Sequence, residues 1–507
     1  MGTSVAITEG ISNNWVNKLD MLIRQLSPWF NRIRTPRWQK VISILKTTVL
    51  TLSVIGLGIM LGLLLTGSLE SQKFIIAAIS CLAGLLLTMA YPVYGLVLVI
   101  VLNPLNYTFA IIDLGIGIPN MTLDRIVIFF LLALFFLQAT TGQRQLHFTN
   151  IKLAVFLFLV TYYLSFQNYE WTTNRVLQFL LDKWIFPFFI FFLLANLVDT
   201  KRKLDISLNL LLILGFYSAI YMIYENVTGN ILFEYRDSFG SQFYGDSNLR
   251  ITRGLYGTTS TFGNLFNLLI PINLYYFLKA RTANQKIWYI LVFGLMLVGV
   301  YLTYKRSVWL ALPLNFLVIQ SFYPQFRKLF LVILFVSVLG MAVSWNTIIA
   351  SEAVSTRVVN TDDWQDANGR TQRWDAGMEL WRQYPIFGAG FRSYSSGPYL
   401  QVENLYIHFL ASAGLITFIP FIMILLIILK NSIKIFLQAN KNDRLFIDRN
   451  LIPVFWGGLA AYLFMAYFGS NVEGHPISNF TFFAIAGILI GSQVPLLKRP
   501  AQLLSRQ

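Results

Sequence analysis

NGRTQRWDAGMELWRQYPIFGAGFRSYSSGPYLQVENLYIHFLASAG, residues 368–414, is the longest polar interval between apolar spans, and it runs directly into a further span at Val402. Its residues predict a basic-faced helix from Arg373 to Gln383, a Pro-Gly turn from Pro385 to Gly390, and an apolar helix that opens with an acid and an amide, Glu403 and Asn404. A chain that only crossed a bilayer would have no use for such a segment. Chemistry is therefore expected here.

Outward from this stretch the chain is apolar. Of 507 residues 56% are hydrophobic and 12% charged, against about 25% charged in soluble domains. The apolar runs have the length a helix needs to cross ~30 Å of hydrocarbon, and they lack the period-two alternation of a membrane β-barrel. The expected fold is an all-α, polytopic transmembrane helix bundle of about fourteen spans (12–14). They fall at 47–66, 74–90, 92–112, 124–139, 152–167, 182–198, 206–225, 259–278, 287–303, 307–321, 329–346, 402–429, 451–468 and 480–497. Residues 1–46 form a basic segment in which Trp15 to Trp38 suits an amphipathic helix on anionic lipid or a plain orientation signal. Residues 47–497 form the transmembrane domain and 498–507 a tail.

Lys and Arg concentrate on the cytoplasmic side of membranes. The clusters Lys201-Arg202-Lys203, Lys279/Arg281/Lys286 and Lys430/Lys434/Lys441/Arg444 share one side with the basic N-terminus. Both termini are thus expected in the cytoplasm, with extracytoplasmic loops at about 226–258 and 347–401, the larger one before span 12. The net charge of +16 then reflects topology, and nucleic acid is not an expected partner. No apolar segment with a small-residue cleavage site marks a removable signal peptide. The only cysteine, Cys81, lies in an apolar run, so neither a disulfide framework nor a cysteine metal site is expected.

Arginines on the outer side run against that bias. Arg250 and Arg253 precede a span, Arg306 joins two spans with almost no loop, and Arg370, Arg373, Arg382 and Arg392 lie in the large loop. Guanidinium groups bind phosphate bidentately and stay charged at any working pH, so a ring of them suits a lipid diphosphate. The loop arginines have a second reading, pairing with Asp362, Asp363, Asp366, Asp375 or Glu379. Glu403 with Asn404 fits the first turn of a helix, where acids face the positive dipole end, and it also fits a general base for a hydroxyl. His408 lies one turn deeper as a packing residue or part of the site, and His475 sits with Glu473 in the last outer loop. Residues 364–375 imitate a calcium loop but place Trp364 at the first ligand position. No nucleotide-binding motif is present.

PIFGAGFRSY followed by VENLYIHFLASAGL resembles the C-terminal signature of the bacterial O-antigen ligase and O-antigen polymerase superfamily. The matches are Pro385, Gly388, Gly390, Asn404, Leu405 and Gly414-Leu415. RWDAGMELWRQYP resembles the helix ahead of that turn, KRSVWLAL an arginine element at Arg306, and RITRG an element at Arg253 and Gly254; together they cover roughly 245–430. The resemblance implies transfer of a glycan from an undecaprenyl-diphosphate carrier to a sugar hydroxyl at the outer face of the bacterial cytoplasmic (inner) membrane. The acceptor would be a lipid A core (ligase) or another lipid-linked repeat (polymerase), without metal or cofactor, beside membrane lipid and other polysaccharide-export proteins. In this reading Arg306 and Arg253 hold the diphosphate, with Arg250, Arg382 and Arg392 in support. Glu403 is the catalytic base, and Asn404, His408 and His475 line the glycan site. Ligases carry a histidine where this chain has Glu403, and the element after Arg253 has Thr259-Ser260-Thr261 in place of Asn-Pro-Asn; both departures favour a polymerase. The rival class is an anion transporter of the bicarbonate type. A transporter usually places paired ionisable residues at mid-membrane or breaks helices symmetrically across two halves, whereas Asp182-Lys183 lies near the expected edge of a span, and Pro187 and Pro271 are not in corresponding positions.

Overall fold

The computed structural model describes residues 88, 91–109, 123–140, 150–166, 173–230, 242–243, 250–252, 259–343, 370–391, 402–439, 445–468 and 477–492. The expected span at 47–66, nearly all of 74–90, the N-terminal segment and the tail lie outside them. Two units divide the chain: residues 1–86 with 129–147, and residues 87–128 with 148–507. Of the first, the described part is the helix from Phe129 to Thr140; everything that follows concerns the second.

The described residues are almost wholly helical. The helices are α1 (Pro92–Phe109), α2 (Leu123–Thr140), α3 (Lys152–Leu164), α4 (Thr173–Leu180), a π-helical turn (Leu181–Ile185), α5 (Phe186–Leu197), α6 (Lys201–Thr228), α7 (Thr259–Lys279), α8 (Ala283–Leu302), α9 (Arg306–Phe322) and α10 (Pro324–Val343). They continue with α11 (Arg370–Gln383), α12 (Leu405–Ala439), α13 (Leu451–Phe468) and α14 (Ile477–Gly491). A two-residue antiparallel pair, β1 (Gln242–Phe243) with β2 (Arg250–Ile251), sits in the segment expected as a loop. Among the described residues five helical stretches are by themselves long and apolar enough to cross a membrane: Val176–Leu197, Lys201–Thr228, Ala283–Leu302, Leu405–Ala439 and Leu451–Phe468.

Local chemistry sets several helix ends. Thr200 caps α6 by accepting from Lys203 N, and Gly229, at φ 74°, closes it in the left-handed region that a side chain disfavours. Thr282 and Gln285 form a reciprocal capping box at the start of α8.

The hub is α7. Every residue from Thr259 to Tyr276 is buried, so it needs no lipid-facing apolar stripe and tolerates asparagines that an outer helix would not. The outer helices α8 and α10 instead expose Ile287, Ile290, Leu291, Leu331, Val332 and Phe335.

Two interior prolines show how the bundle balances its polar groups. A proline removes a hydrogen bond to the carbonyl four residues back, and in hydrocarbon that carbonyl must find another donor. Pro271 frees the carbonyl of Asn267, which accepts from Asn315 Nδ2 of α9 at 2.6 Å. Pro187 frees the carbonyl of Lys183, which accepts from Asn479 Nδ2 of α14 at 2.9 Å. Each proline is thus answered by an asparagine of a neighbouring helix.

The span expected from 182 begins earlier, at Val176. Asp182 therefore lies inside a helical run, buried, and accepts a forked contact from Arg125: Nε to Oδ1 at 3.0 Å, Nη2 to Oδ1 at 2.7 Å and Nη2 to Oδ2 at 2.6 Å. A charge that is paired this well can enter the bundle, which is why hydropathy alone misplaced the boundary.

Antiparallel packing gathers helix ends into two rims. One rim carries Tyr275 and Lys279 around Asp448, Tyr276 Oη donating to Asp205 Oδ1 at 2.9 Å, and Tyr289 Oη donating to Asn209 Oδ1 at 2.9 Å. The other carries the candidate site.

Candidate functional site

The site is built on a break in α12. Its 35 residues contain one non-helical position, Gly414, at φ 68° and ψ −173°, a region essentially reserved for glycine. Such a break strands helix backbone groups about 13 Å below Leu405, at ~1.5 Å per residue. The turn after α11 takes them up. Ala389 N donates to Ala411 O at 2.8 Å and Gly390 N to Ser412 O at 3.0 Å, while Leu415 N donates to Pro385 O at 3.0 Å and Ile416 N to Ile386 O at 3.1 Å.

The glycines are steric requirements of this strap. A Cβ on Gly388 would stand 2.4 Å from Ala413 N, and one on Gly414 2.2 Å from Ile386 O. Pro385–Gly390 is therefore a strap hydrogen-bonded along the broken part of α12.

α11 lies against the start of α12. Leu380, Val402 and Ala411 are buried together, with Trp374, Ala389 and Ile407 packed on them. Gly377 permits the approach, since a Cβ there would meet Ile407 at 2.8 Å. The same packing brings Arg370, the first residue of α11, onto Glu403, with Nη2 donating to Oε2 at 2.5 Å. Both side chains are about one-third exposed (34% and 35%). Next to them Asn404 caps α12: its Oδ1 accepts from Tyr406 N at 3.0 Å and Ile407 N at 3.1 Å. Two buried donors of these residues, Arg370 Nε and Asn404 Nδ2, have no partner among the described residues.

His408 is buried one turn deeper, its Nε2 3.3 Å from Tyr162 Oη. Phe391, Phe409 and Tyr162 surround the imidazole edge-on, and Phe391 N donates to Ser165 O at 3.0 Å. This environment suits an anchor of α12 against α3 better than a solvent-facing acid or base.

The second cationic element is the turn between α8 and α9. Tyr304, at φ 48°, reverses the chain, so Lys305 and Arg306 stand at the opening of α9. Lys305 Nζ contacts Ser260 Oγ of α7, and Thr252 Oγ1 donates to Leu302 O at 3.1 Å. Thr252 directly follows β2, so the Arg250 segment is carried to the same turn. On the adjoining face Ser478 Oγ donates to Thr261 O at 3.4 Å.

Arg306 and Glu403 stand at the same end of the bundle. Asn315, further along α9, packs on Gly457 near the start of α13, and Tyr406 Oη of α12 donates to Leu463 O near the end of α13 at 3.1 Å. Both α9 and α12 thus run antiparallel to α13 and begin near its Phe468 end.

Of the remaining candidates, Arg382 is exposed and pairs with Glu379 at 3.3 Å. Arg253, Arg392 and His475 lie outside the described residues, as does the side chain of Arg250. Among the described residues no three His, Cys, Asp or Glu side chains come together as a metal site would need. Sequence reasoning missed three things: the Arg370–Glu403 pair, Lys305 beside Arg306, and Arg125 as the partner of Asp182. Only the second carried a signal, since Lys305 shares with Arg306 the turn between two spans.

No curated protein matches this chain. Residues 291–422, from within α8 through the broken start of α12, match the family model for O-antigen ligase.

Proposed function

We propose that this protein is a membrane glycosyltransferase that moves a glycan from an undecaprenyl-diphosphate carrier to a sugar hydroxyl at the outer face of the cytoplasmic membrane, in the manner of an O-antigen or exopolysaccharide polymerase. One observation carries the reading: the cations Lys305, Arg306 and Arg370 and the carboxylate Glu403 gather at one end of the helix bundle. A diphosphate is an activated leaving group already. Its departure needs charge stabilisation, and the incoming hydroxyl needs a proton acceptor.

Arg306 and Arg253 hold the diphosphate, supported by Arg250, Arg382 and Arg392. Glu403 takes the proton from the acceptor hydroxyl. Asn404, His408 and His475 shape the glycan site, with His408 acting through the position of α12 because its ring is buried. Glu403 in place of the ligase histidine favours polymerisation over ligation to a lipid A core.

The test is the polysaccharide profile of a deletion strain complemented with Arg306→Ala or Glu403→Gln. Each variant should be present in the membrane at the wild-type level and give single repeats in place of the long ladder. A normal ladder from either variant removes that residue from the mechanism. Accumulation of free lipid-linked polymer in the deletion strain identifies a ligase instead.

A further inference from the structure

We propose that the Arg370–Glu403 ion pair is a latch that the diphosphate donor opens, so that the carboxylate becomes available to the acceptor only after the donor is seated. This rests on the function proposed above. Arg370 Nη2 lies 2.5 Å from Glu403 Oε2, and a carboxylate committed to a guanidinium is not free to receive a proton from an alcohol. The pair is one-third exposed on both sides, so it is screened and held weakly. Arg370 is the first residue of α11, so its side chain can swing without unpacking Leu380 or Gly377.

The cluster also has spare donors. Arg370 Nε and Asn404 Nδ2, on the partner of Glu403 and on its chain neighbour, are buried without partners among the described residues. A single carboxylate cannot engage all of these N–H groups, whereas a diphosphate offers several acceptor oxygens and more charge. Guanidinium prefers such a bidentate phosphate contact. On arrival the phosphate oxygens take Arg370 and the Asn404 amide, and Glu403 is left as an unpaired carboxylate beside the leaving group. Donor binding therefore precedes acceptor activation. Arg370 acts as a donor-binding residue and, through Glu403, as a positioning one.

The experiment follows the reactivity of Glu403 rather than turnover. The full-length protein in detergent is treated with a water-soluble carbodiimide and an amine, with and without inorganic pyrophosphate, and Glu403 labelling is measured by peptide mass spectrometry. Pyrophosphate should raise wild-type labelling severalfold. Arg370→Gln should label at that raised level without pyrophosphate and show no further response, while Arg370→Lys, which keeps a charge, should respond in part. Thermal unfolding of Arg370→Gln at the wild-type temperature shows that the variant is folded. Wild-type labelling unchanged or lowered by pyrophosphate, or Arg370→Gln labelling at the unliganded wild-type level, overturns the latch. If pyrophosphate exposes Glu403 while Arg306→Ala and Glu403→Gln still make polymer, the latch stands as an anion-responsive device and the proposed transferase reading falls.

Discussion

Replacing Asn315 by Leu tests whether the bundle answers its prolines with side-chain amides. Leucine keeps the branched shape of asparagine where it packs on Gly457, but it removes the 2.6 Å donation from Asn315 Nδ2 to Asn267 O. With Pro271 in place that carbonyl has no helical donor, and Asn315 is fully buried (0% exposed). A buried acceptor left unsatisfied costs about 1–3 kcal/mol. In a Pro271→Ala background the new backbone N–H satisfies the carbonyl within α7, so the same Asn315→Leu change should cost about 1–2 kcal/mol less. Any benefit of removing the amide oxygen is common to both backgrounds and cancels in the cycle. The four proteins are compared by reversible unfolding in a denaturing-detergent titration. An Asn315→Leu cost that differs by less than about 0.5 kcal/mol between the backgrounds refutes the reasoning, and with it the parallel account of Pro187, Lys183 and Asn479.

Gly414→Ala should destabilise by about 3 kcal/mol or more, from a backbone region closed to alanine and from displaced strap hydrogen bonds. Trypsin should then cut faster at Arg382, whereas Gly294→Ala, where an added Cβ meets nothing within 4 Å, should leave stability level or slightly raised. Arg125→Ala should cost about 3–5 kcal/mol because it strands Asp182, and Arg125→Ala with Asp182→Ala should cost less than Arg125→Ala alone in the same unfolding assay. Burial works to raise the Asp448 carboxyl, but Lys279 and the backbone N–H of Asn450 prevail and hold it below its ordinary 3.8. A lowered folded value contributes stability that is fully present above the unfolded value and lost as pH falls through the folded one. Melting temperature should therefore drop below about pH 4 in the wild type, and this drop should be smaller in Asp448→Asn.

Local signals in the sequence reached most of the helices. α13 occupies 451–468 as its apolar run predicts, and Asn404 opens α12 where an amide ahead of an apolar run implies a cap. Contacts distant in sequence did not declare themselves. Nothing near Asp182 announces Arg125, 57 residues away, so the charge read as the edge of a span. Nor does periodicity show that Pro385–Gly390 enters the register of a broken helix, because that depends on backbone atoms and not on side-chain pattern. The site was half legible for the same reason. Arg306 and Glu403 stood out as charges at span ends, but Arg370 reads like any loop arginine until the packing of Gly377 on Ile407 carries it to the carboxylate.

The strap has a consequence for the sequence that builds it. Its bonds to α12 run from main chain to main chain, so residues 386, 387 and 389 need only be apolar, while 388, 390 and 414 have no room or no angle for a side chain. A proline, two spaced glycines and a later glycine are then the imprint of a mended helix, set by main-chain geometry alone. The imprint belongs to the scaffold, and the chemistry at this end of the bundle is left to the charged side chains around it.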